Sequence, residues 1–498
     1  MSSRTIRSLI PGLLLAVTAC QNQITNPPLL AGKGGNPPPT PCLGVPEVLA
    51  ITLTPASTVL NVGAAAPLTA RNQDGVAIPA CALKWSSSNS AIAMVGSDGV
   101  LLGKAMGGPV TIKAQTGGKK PIQGRAEVVV DGWVDVDADN EVACGLRYTG
   151  RLYCWGSNGG SDPGGVGQGF YGGNFPAPAE VVGARTWSAF SSGYPGTCAI
   201  STQGTAYCWG GNYGGYLGVG KTYEELAWSV SPVEVSGGLT WRSISYGSGL
   251  VCGITDTGSA YCWGENNAGQ LGDGTTTGRT VPTPVAGGHV FVSIKTGAEA
   301  ACGRTNLGEE LCWGNIDDLH RYNVPTPVPN ATGLSDLTPL YWGITCGRDA
   351  SSTAYCWGRN TGMGTLGTGP VSGWGLADPT PVAGGQKWSS IASGLTPHGC
   401  GVSSSGEAWC WGNNYSGELG DGTTTTTDTP VKVAGVLVWK ELAPSLGRWG
   451  RGQGSNSTCG LTTSGEIHCW GANGGGQLGN GSFAPSLVPV KVVDPVTP

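Results

Sequence analysis

Residues 252–264 read Cys-Gly-Ile-Thr-Asp-Thr-Gly-Ser-Ala-Tyr-Cys-Trp-Gly. The segment ends in Cys-Trp-Gly, with a second Cys ten positions before the first of those three. The same spacing recurs at Cys144 and Cys154, Cys198 and Cys208, Cys302 and Cys312, Cys346 and Cys356, Cys400 and Cys410, and Cys459 and Cys469. With Cys252 and Cys262 that makes seven pairs, and a spacing kept seven times defines a repeat.

The spacing carries geometry. If the two Cys of a pair oppose each other in an antiparallel hairpin, three further facing pairs leave a three-residue loop. Such a loop is a type I turn closed by a left-handed residue, usually Gly. The third loop residue lies six after the first Cys: Gly150, Gly204, Gly258, Gly308, Gly406 and Gly465, with only Ser352 departing. The register predicts seven disulfides across the hairpins, because opposed positions on one face bring the sulfurs within bonding reach.

Composition agrees with a β protein. The chain has 498 residues, enough for two or more domains, with 87 Gly and 12% charged residues. Helix formers are scarce, while Thr, Val, Tyr, Trp and turn residues abound, which predicts an all-β fold. A net charge of −5 supplies no basic face for nucleic acid.

The first residues have the anatomy of an export signal. Arg4 and Arg7 precede a short apolar run over residues 9–17, too short for a stable membrane span. The run ends Val17-Thr18-Ala19-Cys20, which resembles a bacterial lipobox. That resemblance implies a lipoprotein signal peptide over 1–20 and lipidation of Cys20 as the mature N-terminus. The expected location is the cell envelope, with the protein exported and lipid-anchored. Gln21, in place of Asp, points to the outer membrane if the envelope has one. Seventeen Cys less Cys20 and the fourteen in pairs leave Cys42 and Cys81, expected to pair with each other. Zinc is not expected, since its ligands lie two to four residues apart within a half-site. Residues 21–44, rich in Pro and Gly, form a linker.

Residues 45–131 lack Cys-Trp-Gly and show short strand-like runs at 48–54, 68–70, 83–86, 110–114 and 126–130, with Asp98-Gly99 as a hairpin signal. This predicts a β-sandwich. Ile51-Thr-Leu-Thr-Pro55, Leu60, Gly63, Leu68, Trp85-Ser-Ser-Ser-Asn89, Ile92-Ala93, Val95 and Gly107 resemble the group 2 bacterial Ig-like family. The resemblance implies a spacer or adhesive module and assigns no ligand.

Residues 132–498 are the repeat. Each unit opens with an apolar strand such as Trp241-Arg-Ser-Ile244, continues through the Cys hairpin, and passes through a Gly- and Asn-rich loop. It ends in a Pro-and-Val strand such as Pro430-Val-Lys-Val433. Seven four-stranded units in a ring make a seven-bladed β-propeller. The repeats resemble those of the regulator of chromosome condensation family, in the Cys-containing form of exported bacterial proteins. The fourth unit departs after Cys312-Trp-Gly-Asn315, running Ile-Asp-Asp-Leu-His-Arg-Tyr, and should have a shortened loop. No Pro-and-Val strand precedes the first unit, so residues 488–493 are expected to complete the sheet begun by residues 133–154. That closure would place the Ig-like domain beside the C-terminus, near the short turns.

No catalytic motif can be assembled. Asp135-Val-Asp-Ala-Asp139 lacks the Gly and Glu of a calcium loop and reads as the first strand of the first unit. His289, His320, His398 and His468 occupy different repeat positions. The Gly-rich loops precede no helix, so they are not phosphate cradles. No cofactor and no metal are expected, and no enzymatic activity.

Function is expected where the units differ. In an up-and-down blade, the strand one–two and strand three–four loops share one face, while tight turns and links occupy the other. The long-loop face carries Tyr171, Phe175, Tyr213, Tyr216, Tyr341, Trp342, Trp374, Tyr415, Arg448, Trp449 and Arg451, residue types that dominate protein-binding hot spots. The expected function is non-catalytic binding of a protein or glycan at the cell surface through that face. The alternatives are a purely structural or adhesive envelope component, and an inhibitor of an enzyme or an enzyme itself. Some exported relatives of this propeller family inhibit β-lactamases through the loop face; no motif of that activity is placed here. The eukaryotic namesake is a nucleotide exchange factor that binds chromatin. The export signal, the Cys pairs and the acidic balance argue against both roles.

Overall fold

In a computed structural model, the structure describes residue 42 and residues 45–495, apart from 140, 160–163, 318, 341–342, 361–363, 372, 374, 394–397 and 446–455. The expected signal peptide with Cys20, and the linker other than Cys42, lie outside the described residues. Cys42 and Cys81 are both disulfide-bonded.

Residues from 45 to 131 build two facing sheets and a short ribbon. One sheet runs Ser57–Asn61, Gln123–Asp131, Gly107–Thr116, Leu83–Ser87, with its first pair parallel. The other runs Ala65–Pro67, Val100–Gly103, Ala93–Val95; its last two strands are the hairpin around Asp98-Gly99. The ribbon pairs Thr52–Thr54 with Thr69–Arg71. Along Gln123–Asp131 buried and exposed residues alternate, as a strand with one face on a core requires. Leu53, Leu60, Leu101, Ile112, Val128 and Val130 fill that core.

From Trp133 onward the described residues form seven successive four-stranded antiparallel meanders. They span 133–180, 187–234, 241–284, 291–327, 334–381, 388–432 and 439–491. Strand ones of neighbouring meanders pack on one another, for example Trp187–Gly193 on Trp241–Tyr246, so strand one is innermost. The hairpin register holds throughout. Each first Cys opposes its partner, as in Cys144↔Cys154, with Cα atoms 4.0–4.2 Å apart and the disulfide made in all seven. The turn is also as expected. In the first meander Gly150 N donates to Arg147 O at 2.9 Å, and Gly150 lies at φ 80°. Ser352 adopts the same left-handed conformation, at φ 63°.

The Gly of Cys-Trp-Gly has its own cause. Gly156 lies at φ 110°, and a Cβ there would sit 2.0 Å from the carbonyl oxygen of Glu141. The chain bends at this point, where strands three and four change register. The Trp between Cys and Gly fills the seam with the preceding meander. Trp209 packs against Val142, Cys144 and Val166 of the first meander, and its indole donates to Gly165 O at 2.9 Å.

Closure differs from the expectation. Residues 486–491 do not join the sheet of residues 133–154; they pair with Ile467–Gly471 of their own meander. The first meander is completed by its own fourth strand, Asn174–Glu180. The Pro-and-Val strand ends the unit it follows, so every meander is self-contained and none borrows an edge. The first and seventh meanders meet face to face instead, around Trp133, Trp155, Leu461, Ile467, Leu478 and Val492. Gly481 N donates to Pro176 O at 2.7 Å across this seam, as Gly169 N donates to Val230 O and Gly220 N to Thr280 O across the first two.

The N-terminal sheets meet the propeller at its tight-turn end, beside the C-terminus, as expected. Arg147, at the head of the first turn, is 2% exposed and ion-pairs through Nε with Asp131 at 2.9 Å. Its Nη2 donates to Asn61 Oδ1, its Nη1 lies 3.4 Å from Asp494, and its guanidinium covers the Trp133 ring. Tyr148 Oη donates to Gly108 O at 3.2 Å.

Candidate binding face

The antiparallel meanders put the strand one–two and strand three–four loops at the end opposite the tight turns. One residue organises the strand three–four loops, and pattern reasoning passed over it. Four positions after the second Cys stands an Asn: Asn158, Asn212, Asn266, Asn360, Asn414 and Asn473. Asn266 is 1% exposed. Its Oδ1 accepts from Leu271 N at 2.9 Å, while its Nδ2 donates to Thr275 O and Thr277 O. Asn212, Asn414 and Asn473 make the corresponding bond to Leu217, Leu419 and Leu478. A buried amide with four hydrogen-bonding positions thus replaces regular structure in pinning each loop. Its recurrence was the available signal. The fourth meander has Ile316 there, and its loop is reduced to 316–320, against 265–278 in the third.

On these pinned loops the first two meanders carry exposed aromatics. Tyr171 is 55% exposed and its ring lies 6.3 Å from that of Trp228, which is 44% exposed. Tyr213 and Tyr223 stack with centroids 5.1 Å apart and planes 18° from parallel. Phe170, 53% exposed, leans on the half-buried Phe175. Trp228 opens the fourth strand directly opposite Gly211, two residues before Tyr213, so the two aromatic groups are contiguous. Tyr415 is exposed on the sixth meander.

Two of the expected face residues turn inward. Tyr216 is buried in the seam of the second and third meanders, and its hydroxyl donates to Glu265 Oε1. Burial first, then that carboxylate, raises its pKa above the ordinary value. It occupies the slot that Gln270 and Gln477 fill elsewhere, and the Trp263 indole bonds its carbonyl. Phe175 packs into the cores on both sides of the first meander. Tyr341, Trp342, Trp374, Arg448, Trp449 and Arg451 lie outside the described residues.

The ionisable groups here are structural. His398 is fully buried, with Nε2 3.0 Å from Thr458 Oγ1, and burial pushes its pKa down to about 3. His320 Nδ1 lies 2.8 Å from Asp317 Oδ2, folding the short loop of the fourth meander. Glu418 is buried and accepts from Asn413 Nδ2 and Ser416 N; burial raises its pKa. Among the described residues no group of three or more His, Cys, Asp or Glu is placed to hold a metal ion.

Comparison with known proteins agrees on the repeat. Family models described as "Regulator of chromosome condensation (RCC1) repeat" match residues 241–305, 388–438 and 464–497. The chain carries RCC1 repeats. It is similar to the RCC1 domain-containing protein RUG3, mitochondrial, of Arabidopsis thaliana, 25% identical over 59% of this chain and 55% of that protein. It is also 25% identical to the Ultraviolet-B receptor UVR8 of the same plant, over 64% of this chain and 61% of the receptor. The human E3 ubiquitin-protein ligase HERC2 matches at 27% over 72% of this chain, but only 6% of the ligase. The chain therefore spans little more than half the length of the two plant relatives. Among solved structures, human WBSCR16 superposes with a TM-score of 0.57 at 19% identity, over 68% of this chain and 90% of that one. Prp20p of Saccharomyces cerevisiae does so at 0.53 and 17%, over 63% and 80%. At these identities the likeness shows the fold, an RCC1-like propeller.

Proposed function

We propose that this protein is a non-catalytic binding module of the cell envelope that captures a protein through the long-loop face of a closed seven-bladed propeller. The observation that carries this reading is the contiguous exposed aromatic group Tyr171, Trp228, Tyr213 and Tyr223. Exposed Trp and Tyr in a cluster are costly to leave in water and are the side chains that dominate binding hot spots. The solved relatives support a protein partner: Prp20p is described with its binding to Gsp1p and histones, and yeast RCC1 in complex with Kap60.

Residues 1–20 act as a lipoprotein signal peptide, Cys20 carries the lipid, residues 21–44 are a linker, and 45–131 form an Ig-like sandwich ahead of the propeller at 132–498. The hairpin disulfides suit an oxidising compartment. A pull-down from envelope extract with the full chain tests the binding. Wild type should retain a partner that the Tyr171→Ala/Trp228→Ala double variant loses at unchanged melting temperature. Equal retention by both forms overturns the assignment of the face. Cys20→Ala should abolish lipid labelling and processing; normal processing of that variant overturns the anchor.

A further inference from the structure

The innermost strands hold a second set of contacts. On each strand one, a residue opposes the first Cys of the hairpin: Asp137, Ser191, Ser245, Lys295, Thr338, Ala392 and Ala443. In the first three meanders that residue accepts a hydrogen bond from the backbone of the next strand one. Ser192 N reaches Asp137 Oδ2 at 2.9 Å, Tyr246 N reaches Ser191 Oγ at 3.1 Å, and Thr296 N reaches Ser245 Oγ at 3.1 Å.

The fourth meander breaks the series. Lys295 is a donor and cannot accept, and the next strand has Pro339, which has no N–H, at the position of Ser192, Tyr246 and Thr296. Lys295 Nζ instead donates to Thr338 Oγ1 at 2.9 Å. The fifth strand one is rearranged at the same place. Its register slips between Ser335 and Thr338, rather than at the start of the strand as in the other meanders, and Asp336 within the slip lies at φ 56°. A non-Gly residue held at positive φ is strained, and such strain gathers at functional sites.

This rearrangement surrounds a cavity of about 60 Å³ lined by Lys295, Asp336, Thr338, Arg348 and Ser390. Charge pairing around it is uneven. Arg348 Nη2 pairs with Asp336 Oδ2, and Arg348 Nη1 donates to Trp388 O at 2.8 Å. Arg304 lies 3.9 Å from Glu310, whose Oε1 accepts from Asp336 N. Once these pairs are made, the Lys295 ammonium is the charge left over. It has three protons to give and uses one on Thr338. Arg304, Arg348 and the partly buried Lys295 face two carboxylates, Glu310 and Asp336, so one positive charge is in excess beside a space sized for one small group.

We propose that Lys295 and Thr338 form a binding site for a small oxyanion, a phosphate or carboxylate group, at the inner seam of the fourth and fifth meanders. The anion takes the two free ammonium protons and lies between Lys295 and the Ser390 side of the cavity. Asp336, held by Arg348, leaves the site open instead of closing on Lys295. The site uses none of the aromatic group of the first two meanders, so either reading can fail alone.

Isothermal titration of the full chain with inorganic phosphate, at constant ionic strength set by chloride, tests it. Wild type should show saturable binding of one phosphate. Lys295→Met should weaken that binding at least tenfold, and Lys295→Arg should retain most of it. A parallel titration with acetate separates the sources: tighter acetate means a carboxylate from a protein side chain, tighter phosphate a phosphoryl group. In wild type alone, the Lys295 ammonium resonance should titrate at higher pH once phosphate is bound, which covers the case of a poorly folded Met variant. Absence of saturable binding of either anion, equal affinity in Lys295→Met, or a Lys295 titration indifferent to phosphate would overturn the site.

Discussion

The indole Nε1–H of Trp155 donates to the backbone carbonyl of Gln477 at 2.9 Å, across 322 residues of sequence. The bond joins the first meander to the last. It is the same bond that Trp209 makes to Gly165, Trp263 to Tyr216, Trp411 to Thr365 and Trp470 to Glu418. The closing seam is therefore built like an ordinary one. Trp155→Phe and Trp209→Phe should lower the melting temperature by the same amount. Each leaves one buried carbonyl unpaired, at about 1–3 kcal/mol. A much larger loss for Trp155→Phe in thermal melts would mean that closure depends on a special joint after all.

Arg147 makes the N-terminal sheets and the propeller share one buried ion pair. Removing one partner of a buried pair strands the other, at about 3–5 kcal/mol. Arg147→Met should loosen the junction with Asp131 and Asn61 and expose the chain near Gly132 to protease, while the hairpin disulfides hold the propeller together. Adding Asp131→Leu should recover much of the loss, because the stranded carboxylate goes with it. Limited proteolysis followed by mass spectrometry reads both variants.

The closing seam also carries a pH dependence. Burial, then the charges of Glu441 and Asp137, raises Asp135 to about 8, from an ordinary 3.8. Burial likewise raises Asp137 to about 6. Lys440 acts in the opposite direction on Asp135. A folded state that holds a proton more tightly than the unfolded chain is favoured at low pH. This contribution is fully present below 3.8 and is lost as pH rises through about 8. Melting temperature should therefore fall between pH 5 and pH 9, by about 1 °C per kcal/mol lost for a chain of this length. Asp135→Asn should flatten that slope; an unchanged slope would exclude Asp135 as its source.

The hairpins were legible in the sequence because their constraint is local. Two Cys and one turn residue at fixed spacing leave a single register, and Cys144 opposite Cys154 with Gly150 closing the turn is what the structure contains. Closure was not legible because it depends on which unit owns a strand. Pro430-Val431 sits in sequence between two units, and only the pairing Cys410↔Val431 assigns it to the sixth. Tyr216 was misplaced for a related reason. On composition it is a loop tyrosine, yet its position in the repeat is that of the inward Gln270 and Gln477, and position outweighs residue type. The Lys295 cavity arises from the absence of an acceptor and an N–H at two facing positions, a fact about neighbours in space.

Ser352 offers a test of the turn. It is the one hairpin residue of its kind that is not Gly, and it sits at φ 63°. The left-handed conformation costs an L-residue about 1–2 kcal/mol, partly offset because Gly makes the unfolded chain more flexible. Ser352→Gly should therefore stabilise the protein by about 0.5–1 kcal/mol, while Gly308→Ser, where an added Cβ meets nothing within 4 Å, should destabilise it to a similar extent. Denaturant titration measures both; a Ser352→Gly that does not stabilise and a Gly308→Ser that does not destabilise would remove the turn from the account of the repeat.

The C-terminal strand closes the set. Residues 486–491 pair with Ile467–Gly471, and Val492, fully buried, lies in the seam against the first meander with its N–H on Ile467 O at 2.9 Å. Lys491 bonds Glu466, and Asp494 reaches Arg147. Deleting residues 486–498 strips the outer strand from the seventh meander, leaves Ile467–Gly471 as an unpaired edge, and uncovers the closing core. Loss of the Val492 side chain alone, as Val492→Ala, should cost about 1–3 kcal/mol. The deletion should cost well beyond that, with a fall in melting temperature and faster proteolysis of the whole propeller. Hydrogen exchange distinguishes the closures. If the strand belongs to the seventh meander, amides of residues 467–471 lose protection in the truncated chain while those of 152–157 keep theirs through the pairing with Asn174–Glu180. Loss of protection first at 152–157 would restore the shared-blade closure and remove the self-contained one.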